Sequence, residues 1–166
     1  MSPLQRKNQN IKIVVKELQS IKNPDLLSRV VFRDFQYLSK EEGLEHNIIE
    51  LLRLFTDDKF IGLFAFNQKN NKLIAYLAGE VKHLNDGRVV YYISYMFVDA
   101  KYRDKKIGSR LLQMMIRRCQ ELGYSFLVLT CDTTDPKLTT FYKKHGFNYD
   151  PVLQSGTKHD VFSLFL

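Results

Sequence analysis

The sequence predicts a single α/β (α+β) domain, in which a mixed, mostly antiparallel sheet of about seven strands is flanked by about four helices. The length of 166 residues suits one domain with a real hydrophobic core, and we assign residues 1–166 to it. Three strand-like segments joined by short turns predict an antiparallel meander. A later strand–helix–strand succession predicts a pair of parallel strands.

The first part of the chain is predicted to form one strand followed by two helices. Residues 11–18, IKIVVKEL, predict the strand. The dipeptide Asn23-Pro24 marks a helix start, because proline suits the first helical position. A second helix is predicted over residues 40–55. Its apolar side chains recur on one face at Leu44, Ile48, Leu51, Leu52 and Phe55.

After Asp57-Asp58 the hydrophobic period changes to that of strands. Three strands are predicted in succession, at Phe60–Asn67, Leu73–His83 and 88–98. Asn70-Asn71 and Asn85-Asp86-Gly87 supply the turn residues between them. The third strand is β-branched and aromatic on both faces, which is typical of a buried central strand.

The second half of the chain predicts two more helices, each followed by strands. Residues 107–122 form an amphipathic helix that Gly123 ends, and residues 125–131 form a short buried strand. The next helix begins near Asp135-Pro136 and ends at His145-Gly146. The last strands are predicted at 147–149 and 158–166.

Composition and charge argue against nucleic-acid binding and against a membrane-spanning protein. The formal net charge is +7 and the pI is near 9.4, but the basic residues are scattered and form no stripe interleaved with aromatics. This distribution argues against nucleic-acid binding and fits a solvated surface or a site for a small polyanion. No apolar run is long enough for a membrane helix.

The cysteines and the first residues predict the cellular setting. Cys119 and Cys131 have no cysteine or histidine at metal-ligand spacing, so we expect no metal, and Cys119 is expected to pack in the core. Residues 1–10 are polar and basic rather than a secretory signal, and we expect them to fray or serve as a lead-in. Sparse cysteines without a signal predict an intracellular, cytoplasmic protein, and monomer and homodimer both stay open.

Residues 98–112, VDAKYRDKKIGSRLL, predict an anion site. A strand end leads through a polar loop into a helix, whose first backbone N–H groups and dipole attract negative charge. Gly108 leaves room for a ligand near the backbone, and Arg103, Lys105 and Lys106 add positive charge. The alternative is a solvated basic loop before a surface helix.

This segment resembles a motif of the GNAT superfamily of N-acetyltransferases, [RQ]-x-x-G-x-[GA] between the fourth strand and the third helix. Arg103 and Gly108 match the pattern, and Val98 lies five residues upstream as in the family. Lys106 stands where the pattern has its first glycine. If that position requires positive φ, lysine there costs free energy; if not, its ammonium can lie beside phosphates.

Residues 135–147, DPKLTTFYKKHGF, resemble the family's second motif, [ND]-x-x-[A]-x-x-x-Y-x-x-x-G-F. Tyr142, Gly146 and Phe147 are in register, while Asp135 replaces the usual asparagine and Leu138 the small residue. The resemblance covers residues 60–149. It implies a GNAT-type sheet in which the parallel strands 88–98 and 125–131 splay apart.

The resemblance also implies that acetyl-CoA lies in the V-shaped opening between those strands. Met96, Phe97 and Val98 would offer backbone groups to the pantetheine arm. The cofactor loop would hold the pyrophosphate, and Asp135 is counted with the cofactor-binding residues. The loop comprises Arg103, Asp104, Lys105, Lys106, Ile107, Gly108 and Ser109. No metal is implied.

The reaction implied is attack of a free amine on the thioester through a tetrahedral intermediate. Tyr142 matches the family's tyrosine and is the expected general acid. Glu80 is the candidate base, since its alternation with Tyr76 and Ala78 sets it on one defined face. The alternative for Glu80 is an ordinary solvent-facing strand residue.

The acceptor is predicted only as a class. Acidic residues in the helical region favour a cationic amine such as a polyamine, an amino-sugar, a protein lysine or an N-terminus. They are Glu41, Glu42, Glu45, Glu50, Asp57 and Asp58. The alternative is that they are helix-start and surface charges. Two other functions stay open: a CoA-binding or regulatory module without turnover, which Lys106 would favour, and a basic nucleic-acid-binding domain.

Overall fold

The computed structural model describes residues 11–35, 47–131, 134–152 and 160–166. Within these ranges, seven strands form one mixed sheet in the order β1-β2-β3-β4-β5-β7-β6, flanked by four α-helices. The predicted fold class is confirmed, including the parallel pairing of β4 with β5. No helix in the described part of the chain is long and apolar enough to cross a membrane.

The elements follow the order expected from the sequence. The first six are β1 (Ile13–Glu17), α1 (Pro24–Phe35), α2 (Ile48–Thr56), β2 (Phe60–Asn67), β3 (Leu73–His83) and β4 (Val89–Val98). The last five are α3 (Ile107–Glu121), β5 (Phe126–Cys131), α4 (Pro136–Lys144), β6 (Asn148–Tyr149) and β7 (Asp160–Phe165). Short 3-10 turns lie at Leu18–Ser20 and Ala100–Tyr102.

The second helix begins later than predicted. Asn47 has an extended backbone, and its side chain accepts hydrogen bonds from the N–H groups of Ile49 and Glu50. An asparagine in this arrangement caps a helix, so α2 starts at Ile48 rather than running through Asn47. The predicted helical residues 40–46 lie outside the described ranges, as do residues 1–10 and the start of the predicted last strand at 158–159.

The sheet has a hydrophobic cluster on each face. On one face α3 packs through Ile107, Leu111, Leu112, Met115 and Cys119, and Tyr142 and Phe147 join the same cluster. On the other face α1 and α2 pack against side chains that include Phe60, Phe64, Tyr76 and Ala78. Cys119 is fully buried, and burial raises the pKa of its thiol to about 12, so the packing interpretation is confirmed.

β4 carries the irregularity that shapes the middle of the sheet. Ala78 is opposite Tyr95 and Gly79 is opposite Ile93, so Ser94 is an extra residue in β4 at a β-bulge. A Cβ atom on Gly79 would overlap the carbonyl oxygen of Tyr92 and lie 3.0 Å from the Cα of Ile93. The two strands therefore approach each other at the bulge as closely as only glycine permits.

Beyond the bulge, β4 leaves β5. The parallel pairing runs only from Val90↔Phe126 to Tyr92↔Val128, although both strands are described to their ends. A bulge bends its strand and increases the local twist, which accounts for the separation. The result is an opening between β4 and β5, and the segment of β4 from Met96 to Val98 borders it.

The close approach at the bulge predicts that Gly79→Ala destabilises the fold strongly. We expect a loss of about 3 kcal/mol in the free energy of unfolding, because the new methyl group collides with backbone rather than with a flexible side chain. Urea denaturation of the purified variant measures it.

The matched control is Gly123→Ala, at the end of α3. Gly123 has φ +75° and no atom within 4 Å of its would-be Cβ, so only backbone strain of about 1 kcal/mol is expected. Equal losses in the two variants would contradict the close-approach argument.

Candidate active site

The connection from β4 to α3 is a compact loop tied to the end of the strand. Asp99 is 7% exposed, and its carboxylate accepts a hydrogen bond from the N–H of Lys101. The Arg103 side chain folds back, and its Nε donates to the carbonyl oxygen of Val98 at 3.2 Å. Asp104 and Lys106 both have positive φ, at +62° and +61°. The loop therefore has a defined shape that begins at the edge of the opening.

The backbone conformation of Lys106 shows whether positive φ occurs where the family pattern has its first glycine. It is the N-cap residue of α3 in the left-handed conformation, with φ +61° and ψ +19°, and its side chain makes no capping hydrogen bond. The residue at this position of the pattern therefore has positive φ in this chain. A lysine there costs about 1 kcal/mol relative to glycine, yet the chain retains the turn.

Gly108 joins the loop to the rest of the site. A Cβ atom there would lie 3.2 Å from Cε of Met96, 3.6 Å from Cγ2 of Val98 and 3.8 Å from Cζ of Phe141. The missing side chain lets the first turn of α3 pack directly against β4 and α4. The N–H groups of that turn, which an α-helix leaves without intrahelical partners, consequently lie beside the opening.

Tyr142 lies on α4 with its hydroxyl at the same edge of β4. The residue is 7% exposed, and its hydroxyl donates to the sulfur of Met96 at 3.7 Å. The ring contacts Phe141 and Phe147 edge to face. Burial raises the pKa of Tyr142 well above its ordinary value of 10.0, so the phenol stays protonated over the physiological pH range.

Glu80 lies on the other face of the sheet from Tyr142. β3 alternates regularly here, and Tyr76 and Ala78 pack in the cluster under α1 and α2. Glu80 is opposite Tyr92, which is the last residue of β4 that pairs with β5. The carboxylate is thus one strand away from the point where the opening begins, and partly exposed.

Asp135 has a local structural task. It is the N-cap of α4, and its carboxylate accepts hydrogen bonds from the N–H groups of Lys137 and Leu138. With Pro136 at the first helical position, it fixes the start of the helix that carries Tyr142.

His145 is a site neighbour that the sequence alone did not single out. Its Nε2 lies 3.0 Å from Oγ of Ser109 in the first turn of α3, and its ring lies 4.9 Å from that of Phe141. Burial lowers the pKa of His145, and the charge of Lys144 lowers it further, so the imidazole is neutral at neutral pH. The two partners are 36 residues apart in the chain, and only the fold brings them together.

Aromatic side chains of β4 line the face that α1 and α2 cover. The ring centroids of Tyr95 and Phe97 are 6.2 Å apart, and both rings pack against Tyr76 at tilted angles, with centroid distances of 6.3 Å and 5.6 Å. Burial raises the pKa of Tyr95, the Glu50 carboxylate raises it further and the Arg53 guanidinium lowers it, so both members of the Glu50–Arg53 pair are electrostatic neighbours of Tyr95. Of the other predicted acidic residues, Glu41, Glu42 and Glu45 lie outside the described ranges.

Asp57 and Glu50 have partners of their own. Asp57 accepts a hydrogen bond from the N–H of Lys59, and Glu50 lies 3.7 Å from Arg53 in an exposed ion pair. Within residues 11–35, 47–131, 134–152 and 160–166, no group of three His, Cys, Asp or Glu side chains is arranged to hold a metal ion.

The backbone of Lys106 predicts that Lys106→Gly stabilises the protein. Glycine adopts positive φ without strain, and we expect a net gain of about 0.5 kcal/mol, because the relieved strain of about 1 kcal/mol is partly offset by glycine's larger unfolded-state entropy. Lys105→Gly is the control, because φ at Lys105 is not positive and the same change should cost stability. Chemical denaturation distinguishes the opposite signs, and a loss at both positions would contradict the strain.

The part of the chain that carries this site lies within a match to a known family. The acetyltransferase (GNAT) family model matches residues 17–147, which include the loop, both parallel strands and Tyr142. An uncharacterized N-acetyltransferase of Dictyostelium discoideum is 32% identical over 72 residues, which are 43% of this chain. The match spans 33% of the length of that relative.

Solved structures share the fold over nearly the full chain. A GNAT-family acetyltransferase from Streptococcus pneumoniae has a TM-score of 0.70 at 18% identity, covering 93% of this chain and 100% of its own. PaiA N-acetyltransferase from Thermoplasma acidophilum, in complex with coenzyme A, has a TM-score of 0.69 at 17% identity, covering 94% and 100%. An aminoglycoside acetyltransferase from an uncultured soil metagenomic sample, in complex with sisomicin, has a TM-score of 0.65 at 17% identity, covering 89% and 91%.

At these identities the structural likeness shows the fold alone. The match of the family model to more than half of the chain shows the family, and it agrees with the resemblance of the two motifs. The chain therefore belongs to the GNAT acetyltransferase family, a family of acyl-CoA N-acyltransferases.

Proposed function

We propose that the protein transfers the acetyl group of acetyl-CoA to a cationic primary amine. The observation that carries the proposal is the opening between β4 and β5, which has an anion-attracting helix start on one side and the Tyr142 hydroxyl at its edge. The Thermoplasma neighbour, which is described as a coenzyme A complex, supports the choice of acyl carrier.

The loop and the edge of β4 have the chemistry that CoA requires. The pyrophosphate is an anion that accepts hydrogen bonds, and residues from Arg103 to Ser109 offer backbone donors at the start of α3. Lys105 and Lys106 add positive charge. Contrary to the sequence prediction, Gly108 does not leave room for a ligand, because protein side chains fill that space; its small size lets the start of α3 pack closely against β4 beside the opening. The backbone of Met96, Phe97 and Val98 is the edge to which an extended pantetheine amide can bond as a further strand does.

In the proposed reaction, the neutral amine nitrogen bonds to the thioester carbonyl carbon and the carbon–sulfur bond breaks. Tyr142 acts at the leaving group. Its burial keeps the phenol protonated, so it can donate a hydrogen bond or a proton to the departing sulfur. The nitrogen of the tetrahedral intermediate loses one proton as the amide forms, and that proton replaces the one that Tyr142 donates, so the products are a neutral amide and the CoA thiol. Met96, whose sulfur receives the hydroxyl hydrogen bond here, holds the phenol at the edge of β4.

Glu80 is the proposed base on the acceptor side. The acceptor would approach from the face of α1 and α2, opposite Tyr142, so the two proton tasks fall on the two faces of the sheet. The location of Glu80 opposite Tyr92, where β4 and β5 part, supports proton removal directly or through one water.

The acceptor class follows from the side chains on that face. Tyr95 and Phe97 present aromatic rings, and the Glu50 carboxylate, which pairs with Arg53, acts electrostatically on Tyr95. Aromatic faces and carboxylates both attract ammonium groups. These features favour a polyamine, an amino-sugar, a protein lysine or an N-terminus over a neutral acceptor. The aminoglycoside acetyltransferase among the structural neighbours is consistent with amine acceptors on this fold.

A second candidate function is a CoA-binding or regulatory module without turnover. The observation in its favour is Lys106, which holds a strained backbone where the family pattern has glycine. A screen of thiol release from acetyl-CoA over a panel of amines separates the two. Turnover on any amine favours the enzyme, whereas saturable CoA binding with no turnover on any of them favours the module.

The role of Tyr142 predicts that Tyr142→Phe lowers kcat by about 100-fold, because the leaving group loses its hydrogen-bond donor. The KM for acetyl-CoA should change little, since the phenylalanine ring keeps the packing. Tyr149→Phe on exposed β6 is the matched control, with kcat unchanged. A Tyr142→Phe enzyme with wild-type kcat would rule out the acid role.

The role of Glu80 predicts a pH-dependent loss in Glu80→Gln. At neutral pH we expect kcat/KM for the amine to fall by about 100-fold, because the acceptor ammonium loses its base. The defect should shrink as pH approaches the pKa of the amine, where the free base is abundant. Glu17→Gln, on edge strand β1, is the control. A defect independent of pH would contradict a base and indicate a binding or structural role.

A further inference from the structure

We propose that His145 is a positioning residue of the acyl-carrier site, which holds the Ser109 hydroxyl as a hydrogen-bond donor to a phosphate group of CoA. The inference rests on the proposed function, since it assumes that the start of α3 receives the phosphates. It assigns a task to a residue that neither family motif specifies.

The contact joins two helices at the anion-attracting end of one of them. Ser109 lies in the first turn of α3, and His145 is the residue that ends α4. Oγ of Ser109 and Nε2 of His145 are 3.0 Å apart and partly buried. The imidazole ring is held against Phe141, which also lies within 3.8 Å of the would-be Cβ of Gly108. The ring is therefore fixed by packing, independently of its hydrogen bond.

The number of protons available decides which of Ser109 and His145 donates to the other when a phosphate is bound. A serine hydroxyl has one proton to donate, and a neutral imidazole nitrogen either donates or accepts. If Ser109 donates to Nε2, it has no proton for an anion. If Nε2–H donates to Ser109, the hydroxyl proton is free to point at a phosphate oxygen, which can only accept.

His145 can make that change without moving. Its lowered pKa keeps it neutral at neutral pH, so either ring nitrogen can carry the single proton. With Nε2 protonated, the imidazole supports the hydroxyl from behind and the hydroxyl joins the α3 N–H groups as a donor. A hydrogen bond to a charged phosphate is among the stronger kinds, so its loss is measurable.

The competing interpretation is that the Ser109–His145 hydrogen bond only holds α3 and α4 together. A purely structural contact would affect stability and the binding of all ligands of the site alike. A positioning residue acts on phosphate binding through Ser109 alone, so its effect must vanish once Ser109 has no hydroxyl.

The experiment measures the dissociation constant of CoA by isothermal titration calorimetry on the full chain, without an acceptor. Ser109→Ala removes the hydroxyl and should weaken CoA about 10-fold. His145→Phe keeps the ring against Phe141 but cannot hydrogen-bond, and about 5-fold weakening is expected. His145→Gln retains a polar side-chain group that can donate, and should restore the affinity to within about 2-fold of wild type. His83→Phe, at an exposed histidine on β3, is the control and should have the wild-type affinity.

The double variant Ser109→Ala/His145→Phe is the decisive comparison. We expect it to bind CoA about as weakly as Ser109→Ala alone, because His145 acts through the hydroxyl. In turnover, the KM for acetyl-CoA should rise in His145→Phe while kcat is kept. Thermal denaturation of each variant shows whether it is folded.

The results for the variants test the positioning role of His145, and CoA binding by the wild-type protein tests the proposed function. Multiplying losses in the double variant, or a wild-type dissociation constant in a folded His145→Phe protein, would overturn the positioning role while leaving the proposed function intact. Failure of the wild-type protein to bind CoA would overturn the proposed function, and this inference with it.

Discussion

The parting of β4 from β5 is the constraint on which the rest of the site depends. Gly79 lets β3 and β4 come together at the bulge, and the extra residue Ser94 turns the following segment of β4 away from its parallel neighbour. The edge from Met96 to Val98 is thereby left beside an opening. Tyr142 reaches that edge through the Met96 sulfur, and α3 reaches it through the contacts of Gly108. Had the two strands stayed paired to their ends, the helix start and the phenol would face a closed sheet.

Two faces of one sheet divide the proposed chemistry. The face under α3 and α4 holds the loop, the buried phenol and the Ser109–His145 pair. The face under α1 and α2 holds the aromatic side chains of β4 and the carboxylates of Glu50 and Glu80. The two residues differ in burial: Tyr142 is buried, which keeps its phenol protonated, whereas Glu80 is partly exposed. This difference in environment matches the opposite proton tasks proposed for the two residues.

Local patterns predicted the elements well, because period, turn residues and helix caps are properties of neighbouring residues. β2 and β3 have the predicted bounds, and Gly123 ends α3 as expected. Asn47 with Glu50 three residues later is a helix-capping pattern visible in the sequence, and the predicted helix over residues 40–55 did not take it into account. The rest depended on contacts between distant segments. No local pattern predicts that Gly79 must be glycine, because the atom that its Cβ would overlap is the carbonyl oxygen of Tyr92 on another strand. No local pattern predicts the contact between Ser109 and His145 either. The family pattern raised the possibility of positive φ at Lys106 but left it open, since lysine itself does not favour that conformation; the structure gives φ +61° there.

The strand order also has a consequence for how the chain folds during synthesis. β7 lies between β5 and β6, so β6 touches the sheet only through a strand that is made later. Until residues 160–165 have emerged, β5 has no neighbour on one side and β6 has none at all within this sheet. An open β5 edge, rich in apolar side chains, is a template for pairing with other nascent chains. Completion of the sheet therefore waits until β7 has been made, and until then the β5 edge is open to pairing with other chains.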